Sequence, residues 1–85
     1  MSWCYQVGTK EYVVDNHTYR EFGIIEVYYN RKGKAGNHSN LETFNPLTGW
    51  DNYKDLKGTY KMIKEAFKQP ILDLDNWPNE YKEKK

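Results

Sequence analysis

The chain of 85 residues has one cysteine, Cys4, so no disulfide can form within it and the fold must stand on packing alone. It has no apolar run near the ~20 residues needed to cross a bilayer. Residue 1 is not followed by the charged leader and apolar stretch of an export signal, so the expected location is cytoplasmic and no membrane partner is expected. Charge of one sign is not in excess: 13 basic side chains face 12 acidic ones, for a net charge of +1. That balance argues against a general nucleic-acid binder, which is usually strongly basic, although a local basic stripe remains open. Catalytic signatures are missing too. There is no Cys-x-x-Cys, no His-x-x-x-His, no paired acidic motif, no glycine-rich phosphate loop and no Ser-His-Asp set. Cys4, His17 and His38 are far apart, so neither a metal site nor a Cys–His nucleophile is supported, and no cofactor is expected.

Aromatic residues, by contrast, are abundant, at 16% of the chain with eight Tyr and three Trp. They supply large buried area per side chain and are also enriched at interfaces. A chain this short buries only roughly 60–65% of its surface, so its core is thin. Any pocket should form on the surface or between two copies.

Period-two alternation places Trp3, Tyr5 and Val7 on one side of a strand over residues 2–7, with Ser2, Cys4 and Gln6 on the other. Gly8-Thr9 can end it. Residues 9–18 read as an elongated hairpin excursion, with Asp15-Asn16 as its turn pair. A second strand is expected over residues 19–29. Its two sides, Gly23, Ile25, Val27, Tyr29 and Phe22, Ile24, Glu26, Tyr28, are both largely apolar, as suits a central strand. Gly23 within it marks a bulge or a close backbone approach. Asn30-Arg31-Lys32-Gly33 is a turn with Gly where positive φ is needed. Residues 34–40 read as mobile, and Leu41-Glu42-Thr43-Phe44 as a third strand. Pro46 and Gly49 belong to a loop.

From residue 52 the period changes. Leu56, Tyr60, Ile63 and Phe67 form one helical stripe, so a helix is expected over residues 53–69, capped by Asp51 or Asn52 and ended by Pro70. Ile71, Leu72 and Leu74 should tuck back on the sheet or helix. Residues 75–85 read as an extended or disordered tail, with the charged stretch from Tyr81 to Lys85 fraying. The expected architecture is a single α+β domain over residues 1–74. It is a small antiparallel meander of three, possibly four, strands with one C-terminal helix on one face.

The order Met1-Ser2-Trp3, Tyr5, then Gly23-Ile24, Glu26-Val27-Tyr28-Tyr29, Gly33-Lys34, Pro46, Gly49, Asp55-Leu56, Met62, Ala66 and Pro70, Leu72-Asp73 resembles a family of short bacterial proteins with no assigned activity. The resemblance spans about residues 1–73. It implies a compact α+β fold and a bacterial or phage origin, and it implies no catalytic residue. This chain departs from the family in a longer segment from Gly8 to Tyr19 and in a lysine-rich helix.

Three constellations stand out. At about 100° per residue, Lys54, Lys57, Lys61, Lys64 and Lys68 fall in one quadrant of the helix. They form either a strip for phosphates or an acidic protein, or a solvated face, which is preferred. Glu26 interrupts an apolar strand. It is either a carboxylate placed in a shallow site or, as preferred, a partly covered residue paired with a neighbouring Lys, Arg or Tyr. Trp3, Tyr5, Tyr28, Tyr29, Trp50, Tyr60 and Trp77 exceed what one helix and three strands can bury, so some must be exposed, and clustered exposed aromatics mark binding surfaces.

The expected function is a small non-enzymatic interaction module. A protein partner or self-association is favoured, and an inhibitor from a phage or mobile element is one form. A nucleic-acid-associated regulator using the lysine stripe is the alternative. An enzyme with a site at a homodimer seam around Glu26 comes last. One helix covers one side of a sheet, so a partner or a second copy is expected over the other.

Overall fold

Asp15 and Asn16 both take positive φ, 49° and 66°, the pair of left-handed residues that a two-residue type I′ hairpin requires. They join β1 (Ser2–Val14) to β2 (His17–Tyr29) in an unbroken antiparallel register from Ser2↔Tyr29 to Val14↔His17. Gly8-Thr9 therefore does not end the first strand. The longer Gly8–Tyr19 segment is the outer half of this hairpin. The structure, a computed structural model, describes residues 2–82.

After β2 the side chain of Asn30 accepts from the amides of Lys32 and Lys34 at 2.9 and 3.0 Å, and Gly33 turns the chain at φ 77°. β3 (Ala35–His38) then returns along β2, with an irregular register between Tyr28 and Tyr29. Two expectations are corrected here. Residues 34–40 hold the third strand, and Leu41–Phe44 is a turn. Ser39 closes the pairing from both sides: its amide donates to the Glu26 carbonyl at 2.9 Å, and its hydroxyl accepts from the Glu26 amide at 2.8 Å. Small side chains let β3 lie flat beside the apolar strand, a fit that composition alone reads as loop.

The helix α1 (Tyr53–Ala66) starts at Asn52, whose side chain accepts from the Lys54 amide at 2.7 Å. Asp55 in its first turn suits the helix dipole. It stops at Ala66, short of the expected residue 69. The amides of Lys68 and Gln69 fall back on the carbonyls of Glu65 and Ala66, three residues earlier.

The chain then adds β4 (Leu72–Asp73), parallel to β1 with Gly8↔Leu72 and Thr9↔Asp73. The fold is α+β: a four-stranded, mostly antiparallel sheet ordered β3-β2-β1-β4, with one helix packed on it. The segment expected as a tail is hydrogen-bonded and packed as far as Tyr81. A 3-10 turn spans Leu74–Asn76. The Asp73 amide donates to Asn79 and the Tyr81 amide to Ile71, at 2.8 and 2.7 Å. The Tyr81 ring meets Phe22 edge-on and lies under the Arg20 guanidinium. The charged stretch that begins at Tyr81 is anchored here because Tyr81 meets the exposed Phe22 on β2. The fraying expected for residues 83–85 falls outside the described residues.

Two small cores flank the sheet. On one face Tyr5 packs with Ile63 and Ala66 of α1, bordered by Ile24 and Phe44. On the other, Ile25, Val27 and Leu72 are bordered by Tyr29, Ala35, Leu41, Leu74 and Trp77. The second face, expected to need a partner, is thus covered by the chain itself. The means is a pair of facing glycines. A Cβ on Gly23 would come within 2.6 Å of a Leu41 methyl, and one on Gly8 within 2.9 Å of Ile25 and 3.3 Å of Leu74. Gly23 is therefore the site of a close approach, and Leu41 and Leu74 settle into the furrow.

The alternation over residues 2–7 also needs correction. Gln6 is 4% exposed. Its amide donates to the Pro70 carbonyl at 3.2 Å and its oxygen accepts from the Tyr29 hydroxyl, so a polar residue is affordable in that face.

A candidate aromatic cleft and an aromatic-basic helix face

The hairpin register builds the first candidate surface. Trp3 lies opposite Tyr28, and Tyr5 opposite Glu26, all on the helix-bearing face near the open end of the sheet. The Trp3 and Tyr5 rings meet edge to face, 5.2 Å apart at 84°. Tyr5 leans on Phe44 at 6.0 Å and 30°. The loop after β3 completes the wall. The Asn45 side chain accepts from the Leu47 amide at 3.2 Å, and Gly49 takes φ 81°. The Trp50 indole N–H donates to the Pro46 carbonyl at 2.6 Å, which pins that ring within its own loop. Trp3, Tyr5, Glu26, Phe44, Pro46 and Trp50 enclose an open recess of about 410 Å³.

Glu26 is half-buried and its carboxylate accepts from the Tyr28 hydroxyl. That hydrogen bond raises the Tyr28 pKa. Burial, with the nearby Glu26 charge second, raises that of Tyr5. Glu26 thus pairs with a tyrosine on its own strand. Among the described residues one ion pair occurs, Lys68 with Glu65 at 3.2 Å on the exposed helix, so Glu26 has no cationic partner.

The second surface is the outer side of α1. Here the expected stripe is corrected. The buried residues are Thr59, Ile63 and Ala66, while Tyr60 and Phe67 are 52% and 69% exposed. On a helical wheel the buried arc is turned by roughly 60° from the stripe of Leu56, Tyr60, Ile63 and Phe67. The rings of Tyr5 and Phe44 already fill the space above the sheet, so the small Thr59 and Ala66 bring the helix close, and the bulky pair is turned out. Tyr53, at 77% exposed, joins them. Tyr53, Tyr60 and Phe67 recur every seven residues and lie within about 40° of one another.

Lys54, Lys57, Lys61, Lys64 and Lys68 are all exposed, on the far side of this aromatic line from the buried arc. The Lys64 ammonium lies 5.7 Å from the Tyr60 ring centre. Leu47, Tyr53, Leu56, Lys57 and Tyr60 outline a shallow apolar groove of about 310 Å³ where the loop meets the helix.

Of the sequence candidates, Trp3, Tyr5, Glu26, Tyr28 and Trp50 converge in one place, and the five lysines lie apart from them along the helix. Phe44, Leu47, Tyr53 and Phe67 were missed as surface residues. The seven-residue spacing of Tyr53, Tyr60 and Phe67 was the available signal, but it was absorbed into the core stripe. Cys4 lies across the sheet from Trp3, with its Sγ 3.6 Å from the Gln6 oxygen. His17 sits at the hairpin turn, and the His38 ring lies 4.3 Å from that of Trp77, tilted by 53°. Among the described residues no three His, Cys, Asp or Glu side chains group as metal ligands, and no helix is long and apolar enough to cross a membrane. Comparison with family models, with curated proteins and with solved structures finds no match.

Proposed function

We propose that this protein is a non-enzymatic interaction module that docks another protein through the outer side of α1. One observation carries this reading: Tyr53, Tyr60 and Phe67 stand in line at 77%, 52% and 69% exposure, beside five exposed lysines. A long helix that turns its largest aromatics outward and its small residues inward has surface to spare for a second contact. Aromatic anchors near a groove supply most of the energy of a protein interface, and a border of one charge selects a partner of the other. The partner is a cytoplasmic protein presenting an apolar strip edged by carboxylates. A bacterial or phage setting, with inhibition of a host system as one form of the role, follows from the resemblance to the short bacterial family.

The test is affinity capture from a bacterial host, followed by purification of the captured protein and titration against variants. Tyr60→Ala and Phe67→Ala should each weaken binding by roughly ten- to a hundredfold with the fold intact. Affinity unchanged from that of the native protein in both variants sinks the reading.

The same geometry favours one alternative. Exposed aromatics beside cations are the elements of a single-strand nucleic-acid platform. Submicromolar binding of an oligonucleotide that falls steeply with salt, and that is lost in Lys57→Glu/Lys61→Glu/Lys64→Glu, would establish it. Near-neutral net charge argues against it, and no such binding is expected even at low salt.

A further inference from the structure

The recess between the hairpin and the loop combines two things that a neutral or anionic ligand does not need. Its walls are ring faces and edges from Trp3, Tyr5, Phe44 and Trp50. Its one charged group is Glu26, a carboxylate with no cationic partner. Aromatic faces attract a cation through the ring quadrupole, Trp most strongly, and a carboxylate at the edge adds a Coulomb attraction. The recess is also nearly ready-made. Trp50 is held by its own loop and Tyr5 is fixed between Trp3 and Phe44, so little side-chain freedom is lost on binding.

The lining further narrows the class of cation. The rings accept hydrogen bonds poorly, and the polar groups around them are already engaged: the Asn45 side-chain oxygen accepts from the Leu47 amide, the Asn45 carbonyl from the Thr48 hydroxyl, the Pro46 carbonyl from the Trp50 indole, and one Glu26 oxygen from the Tyr28 hydroxyl. A primary ammonium or guanidinium turned into these walls would exchange bonds to water for few bonds to protein, which is costly. A cation with no N–H loses none. We infer that the Trp3–Tyr5–Glu26–Trp50 recess is a binding site for a quaternary ammonium group. This site is independent of the helix face and selects the opposite charge.

The probe is tetramethylammonium chloride, titrated into the whole chain while the three indole N–H signals are followed by nuclear magnetic resonance. Trp77 lies on the other face of the sheet and serves as the internal reference. Trp3 and Trp50 should shift saturably and Trp77 should not. Neopentyl alcohol, a neutral molecule of similar size and branching, and sodium chloride at equal ionic strength should produce no saturable shift. Glu26→Gln should weaken binding roughly ten-fold, and Trp50→Leu should abolish it, with Trp3 as reporter. Signal dispersion checks the fold of each variant. Tyr60→Ala, which damages the helix face, should leave this affinity unchanged, so the two surfaces succeed or fail separately. A choline titration and a trimethyl-lysine peptide then identify the source of the group by which binds more tightly. No saturable shift, an equal response to neopentyl alcohol, or an undiminished affinity in Glu26→Gln overturns the assignment.

Discussion

The two faces of the sheet are covered in different ways. One carries a regular helix of 14 residues that buries Thr59, Ile63 and Ala66 and packs the last two on Tyr5. The other carries no regular layer. Leu41 comes from a turn, Leu72 from a two-residue strand, and Leu74 and Trp77 from the segment after it. Yet the irregular side buries Ile25 and Val27 completely, both at 0% exposure. A core does not need a periodic lid. It needs a surface shaped to receive one, and here the facing Gly8 and Gly23 provide the shape.

If that is right, both sides should be equally sensitive to truncation. Ile25→Ala and Leu72→Ala should each cost about 2–5 kcal/mol in urea unfolding, as should Ile63→Ala on the helix side. A loss well under ~1 kcal/mol for Leu72→Ala would mean that the irregular lid is loosely applied. The furrow itself is probed by adding bulk. Gly8→Val should destabilise by roughly 1–3 kcal/mol, because its side chain would displace Ile25 and Leu74 together.

On the helix side the outward residues should behave as surface. Gly58 has open space around the position a Cβ would take, so Gly58→Ala should stabilise the protein by about 0.5–1 kcal/mol. Phe67→Ala should change stability by no more than roughly 0.5 kcal/mol, where a core phenylalanine would cost about 3–5. A large loss at Phe67 would restore the stripe expected from sequence and remove the docking surface.

The smallest effect concerns the outer half of the hairpin. The hydrogen bond from the Tyr12 hydroxyl to the Glu42 carboxylate, 2.7 Å long, pushes the Tyr12 pKa from its ordinary 10 up to about 12. The folded state holds that proton more tightly than the unfolded chain. Its contribution is therefore whole below pH 10 and is lost as pH rises toward 12. Melting temperatures should fall across that window, and less so in Tyr12→Phe.

Strand over residues 2–7 and 19–29, the Asp15-Asn16 turn, the Gly33 turn and the existence of α1 were legible because each rests on a local rule: period two, left-handed turn residues, period 3.6. The irregular lid was not legible, because nothing local says where Leu41 or Leu74 will land. Gly23 did hint at a close approach without naming what approaches. β3 was hidden because Ala35, Gly36, Asn37 and His38 have weak strand preference and pair only because β2 offers a free edge. At the candidate surfaces, chemistry was legible and rotation was not. Trp3, Tyr5, Glu26, Tyr28 and Trp50 were named from sequence. The helix phase was set by Tyr5 and Phe44, distant in the chain, and that turned Tyr60 and Phe67 into water.

The parallel pairing of Leu72 with Gly8 has a consequence for the order of assembly during synthesis. The hairpin and β3 can pair as soon as residue 38 has left the ribosome, since the β1–β2 and β2–β3 ladders lie wholly before that point. The lid over Ile25 and Val27 cannot close until residues 72–77 emerge. In that interval the nascent chain displays an apolar, furrowed sheet edged by unpaired backbone on β1. This is the period in which chaperone binding, or pairing with a neighbouring nascent chain, competes with folding.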